Sequence, residues 1–184
     1  MFKYKMKKVV FFDFDGTIID SNKIKEDGFA FIYKNFIMSR KKILSFHREN
    51  MGLSRYDKFE YINKKIICIN YNKKIGEEYS NLYSKYIKER IVRAPFVDGA
   101  ISFLKKNSEN KYLVLFSITP YIDLIDFANK LKISRYFRKI YGYPSKKIDV
   151  VKEEIKINGF AKKDIIIIGD SFSDLTVSET LNIE

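Results

Sequence analysis

The sequence contains one cysteine, Cys68, so no internal disulfide can form. A lone cysteine is typical of proteins in a reducing compartment, and we expect a cytoplasmic protein. No run of about 18 apolar residues occurs, so we expect no membrane span. Nothing resembles a signal peptide, because the lysine-rich beginning precedes only about six apolar residues and then aspartates. Internal repeats and low-complexity linkers are also absent.

Negative charge is scarce: 23 Asp and Glu stand against 35 Lys and Arg, a formal net charge of +12. A polyanion partner such as nucleic acid would suit this excess. The lysines are spread through the chain, however, and no basic-aromatic RNA-binding signature occurs. We therefore favour a compositional bias that assists small anionic substrates, and we do not expect a nucleic-acid partner.

Short apolar runs alternate with helical patterns along most of the chain. A length of 184 residues suits one domain, or one core with a small insertion. Strands that alternate with helices indicate an α/β fold with a Rossmann-like parallel sheet and right-handed crossovers. The predicted strands are 8–14, 112–116, 139–143 and 165–168, with helices near 120–131, 147–158 and 173–182.

The segment between the first two strands is predicted to be all helical. Its apolar positions suggest one face formed by Ile24, Phe31 and Ile32. A helix that begins with the capping box Ser54-x-x-Asp57 continues to Ile69, and a later one buries Ile75, Tyr79, Leu82, Tyr86 and Ile91. We expect residues 1–19 plus 94–184 to form the α/β core. Residues 20–93 would then form a helical domain placed to act as a lid.

Residues 9–17, VVFFDFDGT, carry the strongest chemical signal. The apolar run reads as a buried parallel strand that leads into Asp13 and Asp15. Alternation along a strand places these two carboxylates on one side, at the sheet edge where ligands bind. Crowded carboxylates are costly unless a cation or a proton separates them. The pair therefore suits chemistry that needs a nucleophile, a metal and an acid.

Polar residues also follow the other three predicted strands. If the sheet is parallel, all of these segments meet at its carboxyl edge. They are Ser117-Ile118-Thr119-Pro120, then Pro144 with Lys146 and Lys147, and finally Gly169-Asp170-Ser171-x-x-Asp174.

In this order the segments resemble the four motifs of the haloacid dehalogenase superfamily of phosphotransferases. DFDGT corresponds to the first motif, LVLFSITP to the second, GYPSKK to the third and GDSFSD to the fourth. The helical insertion looks like that superfamily's cap, and phosphoglycolate phosphatase and β-phosphoglucomutase-like members are similar. Such members usually continue past the fourth motif with a further strand, so we expect an edge strand to be missing at the carboxy-terminal edge of this core, either by truncation or because it is genuinely absent.

The resemblance implies a Mg²⁺-dependent phosphatase that acts through an aspartyl-phosphate. Asp13 would be the nucleophile, and Asp15 would carry the proton as general acid and base. The metal ligands would be the Asp13 side chain, the Asp15 backbone carbonyl and Asp170, with Asp174 in support. Mg²⁺ suits such hard oxygen donors.

The resemblance also implies how phosphate and substrate are held. Ser117 and the Ile118 amide would bind the phosphoryl oxygens at a helix N-terminus. Lys147 would neutralise developing charge; Lys146 is the alternative, but Lys147 matches the family spacing after Pro144. Gly52-x-Ser54-Arg55 resembles the cap loop of β-phosphoglucomutase-like members, where the arginine holds a non-transferring anionic group.

His47, the only histidine, is a further candidate for contacting the substrate, although a lone histidine more often has a structural role. The partner is expected to be a small phosphorylated metabolite, such as a sugar phosphate or a phosphoglycolate-like acid. Two alternatives stay open: a sugar phosphomutase on the same fold, and a non-catalytic basic binding module. The sequence does not indicate the oligomeric state.

Overall fold

The computed structural model describes residues 8–184. Within this range the helices are α1 Asn22–Ile32, α2 Arg40–Glu49, α3 Arg55–Tyr61, α4 Lys73–Arg93, α5 Ala100–Asn107, α6 Tyr121–Lys130, α7 Lys147–Asn158 and α8 Phe172–Leu181. The strands are β1 Val9–Phe12, β2 Tyr112–Pro120, β3 Lys139–Tyr143 and β4 Ile165–Ile168. No helix in this range is both long enough and apolar enough to cross a membrane.

The four strands form one parallel sheet in the order β3-β2-β1-β4. Val9 of β1 is in register with Tyr112 of β2 and with Ile165 of β4. The β1 strand is wholly buried, and its Phe11 ring lies 5.6 Å from the ring of Phe116. The predicted α/β fold with a parallel sheet is confirmed. All four carboxyl ends therefore lie at one edge of the sheet.

The described chain divides into two compact units, 8–20 with 95–184 and 21–94. The first contains the whole sheet and α5 to α8. The second contains only helices, α1 to α4. Each predicted boundary of the helical segment, 20 and 93, lies one residue before the corresponding boundary in the structure.

Two strands differ in length from the sequence prediction. The first is shorter, so Asp13 and Asp15 follow β1 rather than lie within or at the end of it. The second continues to Pro120, because β2 resumes pairing with β3 at Pro120 and Tyr143 after a register shift. Ser117 and Ile118 consequently lie inside a strand, and the expectation that they mark a helix N-terminus is wrong.

The helical unit differs from its predicted faces. The buried residues of α1 are Lys25, Gly28 and Phe29, while Phe31 is exposed. In α4 Ile91 is buried as predicted, but Tyr83 and Ile87 are buried too and Leu82 is half exposed, so the rest of the predicted face is rotated. The α3 helix begins at the predicted cap, with the Asp57 amide donating to Ser54 Oγ at 3.2 Å. It gives way at residue 62 to a π-helical turn, Ile62–Ile66, instead of continuing to Ile69.

At the other end of the sheet order, β4 is an edge strand of the described sheet. The amide of Ile167 donates to the carbonyl of Glu184 at 2.8 Å, and the Ile183 side chain is buried. The last residues thus begin to pair alongside β4.

Candidate active site

Asp13 lies directly beyond β1 and is almost completely buried, with 5% of its surface exposed. Its amide donates to the carbonyl of Ile168 at 2.9 Å, which ties it to the end of β4. Its Oδ1 accepts a hydrogen bond from the Phe14 amide at 2.8 Å. The chain then turns sharply through Gly16, whose φ of +74° suits a residue without Cβ. These contacts hold the Asp13 carboxylate in one orientation.

The Lys147 side chain comes from the first residue of α7 and is also buried. Its Nζ lies 2.9 Å from Asp13 Oδ2 and 2.7 Å from Asp174 Oδ1. The ammonium group also lies 5.0 Å from the centre of the Phe116 ring. Lys146, the alternative site lysine, is the exposed N-cap of the same helix. The structure therefore brings Lys147, and not Lys146, to the carboxylates.

Asp174 is held at the start of α8 by its own helix cap. Its Oδ2 accepts hydrogen bonds from Ser171 Oγ at 2.6 Å and from the Ser171 amide at 3.3 Å. Gly169 makes this approach possible, because a Cβ atom there would lie 2.2 Å from Asp174 Cγ. Asp170, between them, is exposed.

Three carboxylates form a group that could hold a metal ion. Asp13, Asp170 and Asp174 each offer an oxygen, and these three atoms lie within 4.8 Å of one another. The carboxylate of Asp15 is not part of this group. Hard oxygen donors, two of them buried, fit Mg²⁺ better than a softer metal.

Burial and charge set the electrostatics of this group. The pKa of Asp13 is raised to about 7: burial is the largest cause, the ammonium of Lys147 opposes it, and the carboxylates of Asp174 and Asp15 add to it. Burial also lowers the pKa of Lys147, but its two carboxylate partners outweigh burial and place that pKa above its ordinary value. A positive charge is therefore strongly favoured beside Asp13.

The end of β2 supplies the other polar groups. Thr119 Oγ1 donates to Asp15 Oδ2 at 2.8 Å. The Thr119 amide donates to Ser117 Oγ at 3.1 Å, and both Ser117 and Thr119 are buried. Ile118 lies between them and is half-buried. The structure thus places Ser117, Ile118 and Asp15 at the same sheet edge as Asp13.

Sequence reasoning placed Thr119 and Ser171 in segments at this edge but assigned neither of them a role. Thr119 lies 104 positions from Asp15, so no local pattern could have shown their contact. Ser171 did carry a signal: Ser171-x-x-Asp174 is a capping box of the same form as Ser54-x-x-Asp57. That pattern indicates that Asp174 is oriented by the serine three residues before it.

Arg55 lies in the helical unit, at the first residue of α3, and is buried. Its Nη1 donates to Ser84 Oγ at 2.6 Å and lies 3.4 Å from Ser80 Oγ. Its guanidinium carbon lies 4.7 Å from the centre of the Tyr83 ring. The guanidinium is thus fixed by α4 rather than solvated.

His47 is buried in the same helical unit. Its ring centre lies 4.5 Å from that of Phe29, and Phe29 in turn lies 5.1 Å from Tyr83, the ring beneath Arg55. Burial, aided by the charge of Lys58, lowers the pKa of His47 to about 3, so the ring is neutral. Lys58 Nζ lies 3.3 Å from Nδ1, which places the proton on Nε2. This N–H is buried and has no hydrogen-bond partner among the described residues.

Comparisons of the sequence and of the fold with known proteins point to the same family. The model of the haloacid dehalogenase-like hydrolase family matches residues 10–184. Many solved structures share the fold. A hydrolase of Bacillus subtilis of this type, determined with bound magnesium, has 14% identity and a TM-score of 0.73, and the match covers 98% of this chain and 87% of the other.

Two further structures have names that indicate an activity. A protein of Lactobacillus plantarum named as a phosphoglycolate phosphatase has 12% identity and a TM-score of 0.73, over 97% of this chain and 84% of the other. A Thermotoga maritima protein named as a β-phosphoglucomutase has 15% identity and a TM-score of 0.66, over 96% and 82%. At these identities the likeness shows the fold. No curated protein matches the chain.

Proposed function

Because this chain belongs to the haloacid dehalogenase-like hydrolases, we propose that it is a Mg²⁺-dependent phosphatase that hydrolyses a small phosphorylated metabolite through an aspartyl-phosphate. One observation supports this most directly. A buried carboxylate, Asp13, is held beside a buried lysine and two further aspartates at the carboxyl edge of a parallel sheet. Phosphate monoesters are very resistant to hydrolysis, and an activated carboxylate nucleophile splits the reaction into two easier steps.

In the first proposed step an oxygen of Asp13 attacks phosphorus, and the bond between phosphorus and the alcohol oxygen breaks. Asp15 donates a proton to the departing oxygen. In the second step water attacks the same phosphorus, the bond to Asp13 breaks, and Asp15 takes up the proton from water. Inorganic phosphate leaves and both carboxyl groups return to their starting states. Thr119, which donates to Asp15 at 2.8 Å, would hold that carboxyl in position.

Positive charge is needed because a carboxylate and a phosphate repel each other. Two like charges about 4 Å apart cost about 4 kcal/mol at an effective dielectric constant of 20. Lys147, oriented by Asp174, would offset part of this cost at Asp13. Asp13, Asp170, Asp174 and the backbone carbonyl of Asp15 would hold Mg²⁺, which supplies further positive charge to the phosphoryl oxygens when bound. Ser117 and the Ile118 amide would bind those oxygens.

Arg55 and His47 would recognise the part of the substrate that is not transferred. Both are hydrogen-bond donors in the helical unit. His47 packs against Phe29, Phe29 packs against Tyr83, and Arg55 lies over the Tyr83 ring. A substrate bearing a second anionic or hydroxyl-rich group, such as a sugar phosphate, would suit them.

The central test is hydrolysis of p-nitrophenyl phosphate with Mg²⁺ or with EDTA. We expect activity with Mg²⁺ only, and its loss in Asp13→Asn. Asp98→Asn is a matched control, because Asp98 is an exposed aspartate of the same unit. Thermal melting of each variant would show that the fold is intact. Full activity of a folded Asp13→Asn variant would refute the proposed nucleophile.

A phosphomutase is the alternative function, since one structural neighbour is named as a β-phosphoglucomutase. It would return the phosphoryl group to the sugar rather than to water. Product analysis with a sugar phosphate separates the two: a phosphatase releases one phosphate per substrate consumed, whereas a mutase yields an isomeric sugar phosphate and little free phosphate.

A further inference from the structure

The charges of the sheet-containing unit are separated in space. Its described residues, 8–20 and 95–184, contain fifteen Lys and Arg and fifteen Asp and Glu. Twelve of the fifteen cations lie in four segments: Lys8, 105–111, 130–139 and 156–164. The same segments contain only two acidic residues, Glu109 and Asp164. Together these four segments are called the cationic edge below.

The parallel sheet brings these segments together. Lys8 directly precedes β1, and the other three segments lead into the amino ends of β2, β3 and β4. The Lys8 amide donates to the Asp164 carbonyl at 2.9 Å, and the Tyr112 amide donates to the Lys8 carbonyl at 2.9 Å. The Arg138 amide donates to the Leu113 carbonyl at 2.8 Å. Lysines that are scattered along the sequence thus become neighbours, on the edge opposite to Asp13.

Helix ends explain only part of this pattern. Cations in the last turn of a helix are stabilised by the helix dipole, which accounts for those in α5, α6 and α7. Lys130 also pairs with Asp126 at 3.0 Å. The cations that directly precede or begin strands gain nothing from a helix end. Lys8 directly precedes β1 and Lys139 begins β3, and both are exposed.

A cavity of about 290 Å³ opens at the same edge. Its walls include Lys8 and Asp164, together with Tyr112 and Phe160, whose ring centres lie 5.0 Å apart. Binding sites for single-stranded nucleic acids combine aromatic rings, which stack on bases, with cations that follow the phosphates. This cavity offers the two rings and Lys8.

The sequence alone predicts no nucleic-acid partner, because its lysines are scattered along the chain. Since the sheet gathers them at one edge, we propose that the cationic edge binds single-stranded nucleic acid through its phosphate backbone, without sequence preference. An anionic membrane fits less well, because among the described residues Ile157 is the only exposed large hydrophobic residue in these segments. The surface is separate from the aspartates of the active site, so binding and phosphatase activity can be tested independently.

The test compares two triple variants by fluorescence anisotropy with a labelled oligouridylate. Lys106→Gln, Lys139→Gln and Lys162→Gln together alter the cationic edge. Lys65→Gln, Lys74→Gln and Lys85→Gln together remove the same charge from exposed positions of the helical unit.

We expect micromolar binding that weakens steeply between roughly 50 and 200 mM salt. The edge variant should bind about tenfold or more weakly, with the slope of log K against log salt reduced by about 2, since each single-strand contact contributes about 0.7. The control should bind like the original protein, and both variants should keep the original melting temperature. Equal weakening in both variants, or tighter binding to polyglutamate or to phosphatidylserine vesicles, would overturn the proposal.

Discussion

The ammonium group of Lys147 lies between two buried carboxylates, 2.9 Å from Asp13 Oδ2 and 2.7 Å from Asp174 Oδ1. Each of the three side chains is nearly inaccessible to solvent. The lysine is therefore the internal counter-charge of the proposed nucleophile, and Asp174, which is itself fixed by Ser171, positions that lysine. Removing Lys147 would leave two buried carboxylates without their counter-charge, whereas removing either aspartate would leave a paired lysine.

Lys147→Met should lower kcat by about 10²–10³-fold, because a preorganised positive charge beside the phosphoryl group is lost. Urea unfolding in EDTA should show a loss of about 3–5 kcal/mol, the usual result of removing one partner from a buried ion pair. Mg²⁺ should restore part of this stability. Lys146→Met, at the exposed neighbouring position, is the control and should change neither quantity. If the two variants behaved alike, Lys147 would have no special role.

Thr119→Val should lower kcat by about 10-fold to 100-fold. The substitution keeps the shape of the side chain but removes the hydrogen bond to Asp15, and bonds to charged groups contribute about 1.5–3 kcal/mol. Thr119→Ser keeps the hydroxyl and should retain most of the activity. Steady-state kinetics with p-nitrophenyl phosphate measure both. A fully active Thr119→Val variant would show that Asp15 does not depend on this contact.

Much of the core could be predicted because its signals are local. Short apolar runs such as Ile165 to Ile168 predict buried strands, and the polar residues after them indicate the carboxyl edge of the sheet. The burial of Lys147 rather than Lys146 agrees with the spacing argument from Pro144. Its role in the reaction stays a prediction.

The helical unit was harder to predict, because apolar residues occur on more than one face of its helices. In α4 both Leu82 and Tyr83 are apolar or aromatic, and only packing against α1 selects Tyr83 as the buried one. The contact between Thr119 and Asp15 depends on how far β2 extends, and the cationic edge depends on the strand order. These are long-range properties that no window of sequence contains.

Arg55→Ala should raise KM for the natural substrate more than KM for p-nitrophenyl phosphate, because the latter lacks a second anionic group. Arg40→Ala is the matched control: Arg40 is also the first residue of a helix, but it is exposed. Arg55→Lys keeps the charge while losing the planar fork, so it should show an intermediate KM. The natural substrate would come from a metabolite phosphatase screen. An equal rise in KM for both substrates would show that Arg55 does not take part in substrate recognition.

Gly169→Ala should destabilise the protein by about 1–3 kcal/mol, the range for overpacking a close contact. The added Cβ would lie 2.2 Å from Asp174 Cγ and displace that carboxylate from Lys147. In an Asp174→Gly background the same substitution should cost far less, because the carboxylate is gone and so is the Asp174 Cβ, which would lie 2.6 Å from the added Cβ. Urea unfolding of the four proteins gives the coupling energy. If the losses in the free energy of unfolding were additive, the destabilisation by Gly169→Ala would not come from its contact with Asp174.

His47 should make the helical unit sensitive to acid. The folded protein keeps this ring neutral down to about pH 3, whereas in the unfolded chain it takes up a proton near its ordinary pKa of 6.5. Proton uptake by the unfolded state therefore lowers the free energy of unfolding as the pH falls, by about 2 kcal/mol between pH 7 and pH 5. His47→Gln should lose this contribution while retaining an acceptor for Lys58. Urea unfolding at both pH values would measure it, and an unchanged pH dependence in the variant would show that His47 is protonated in the folded protein.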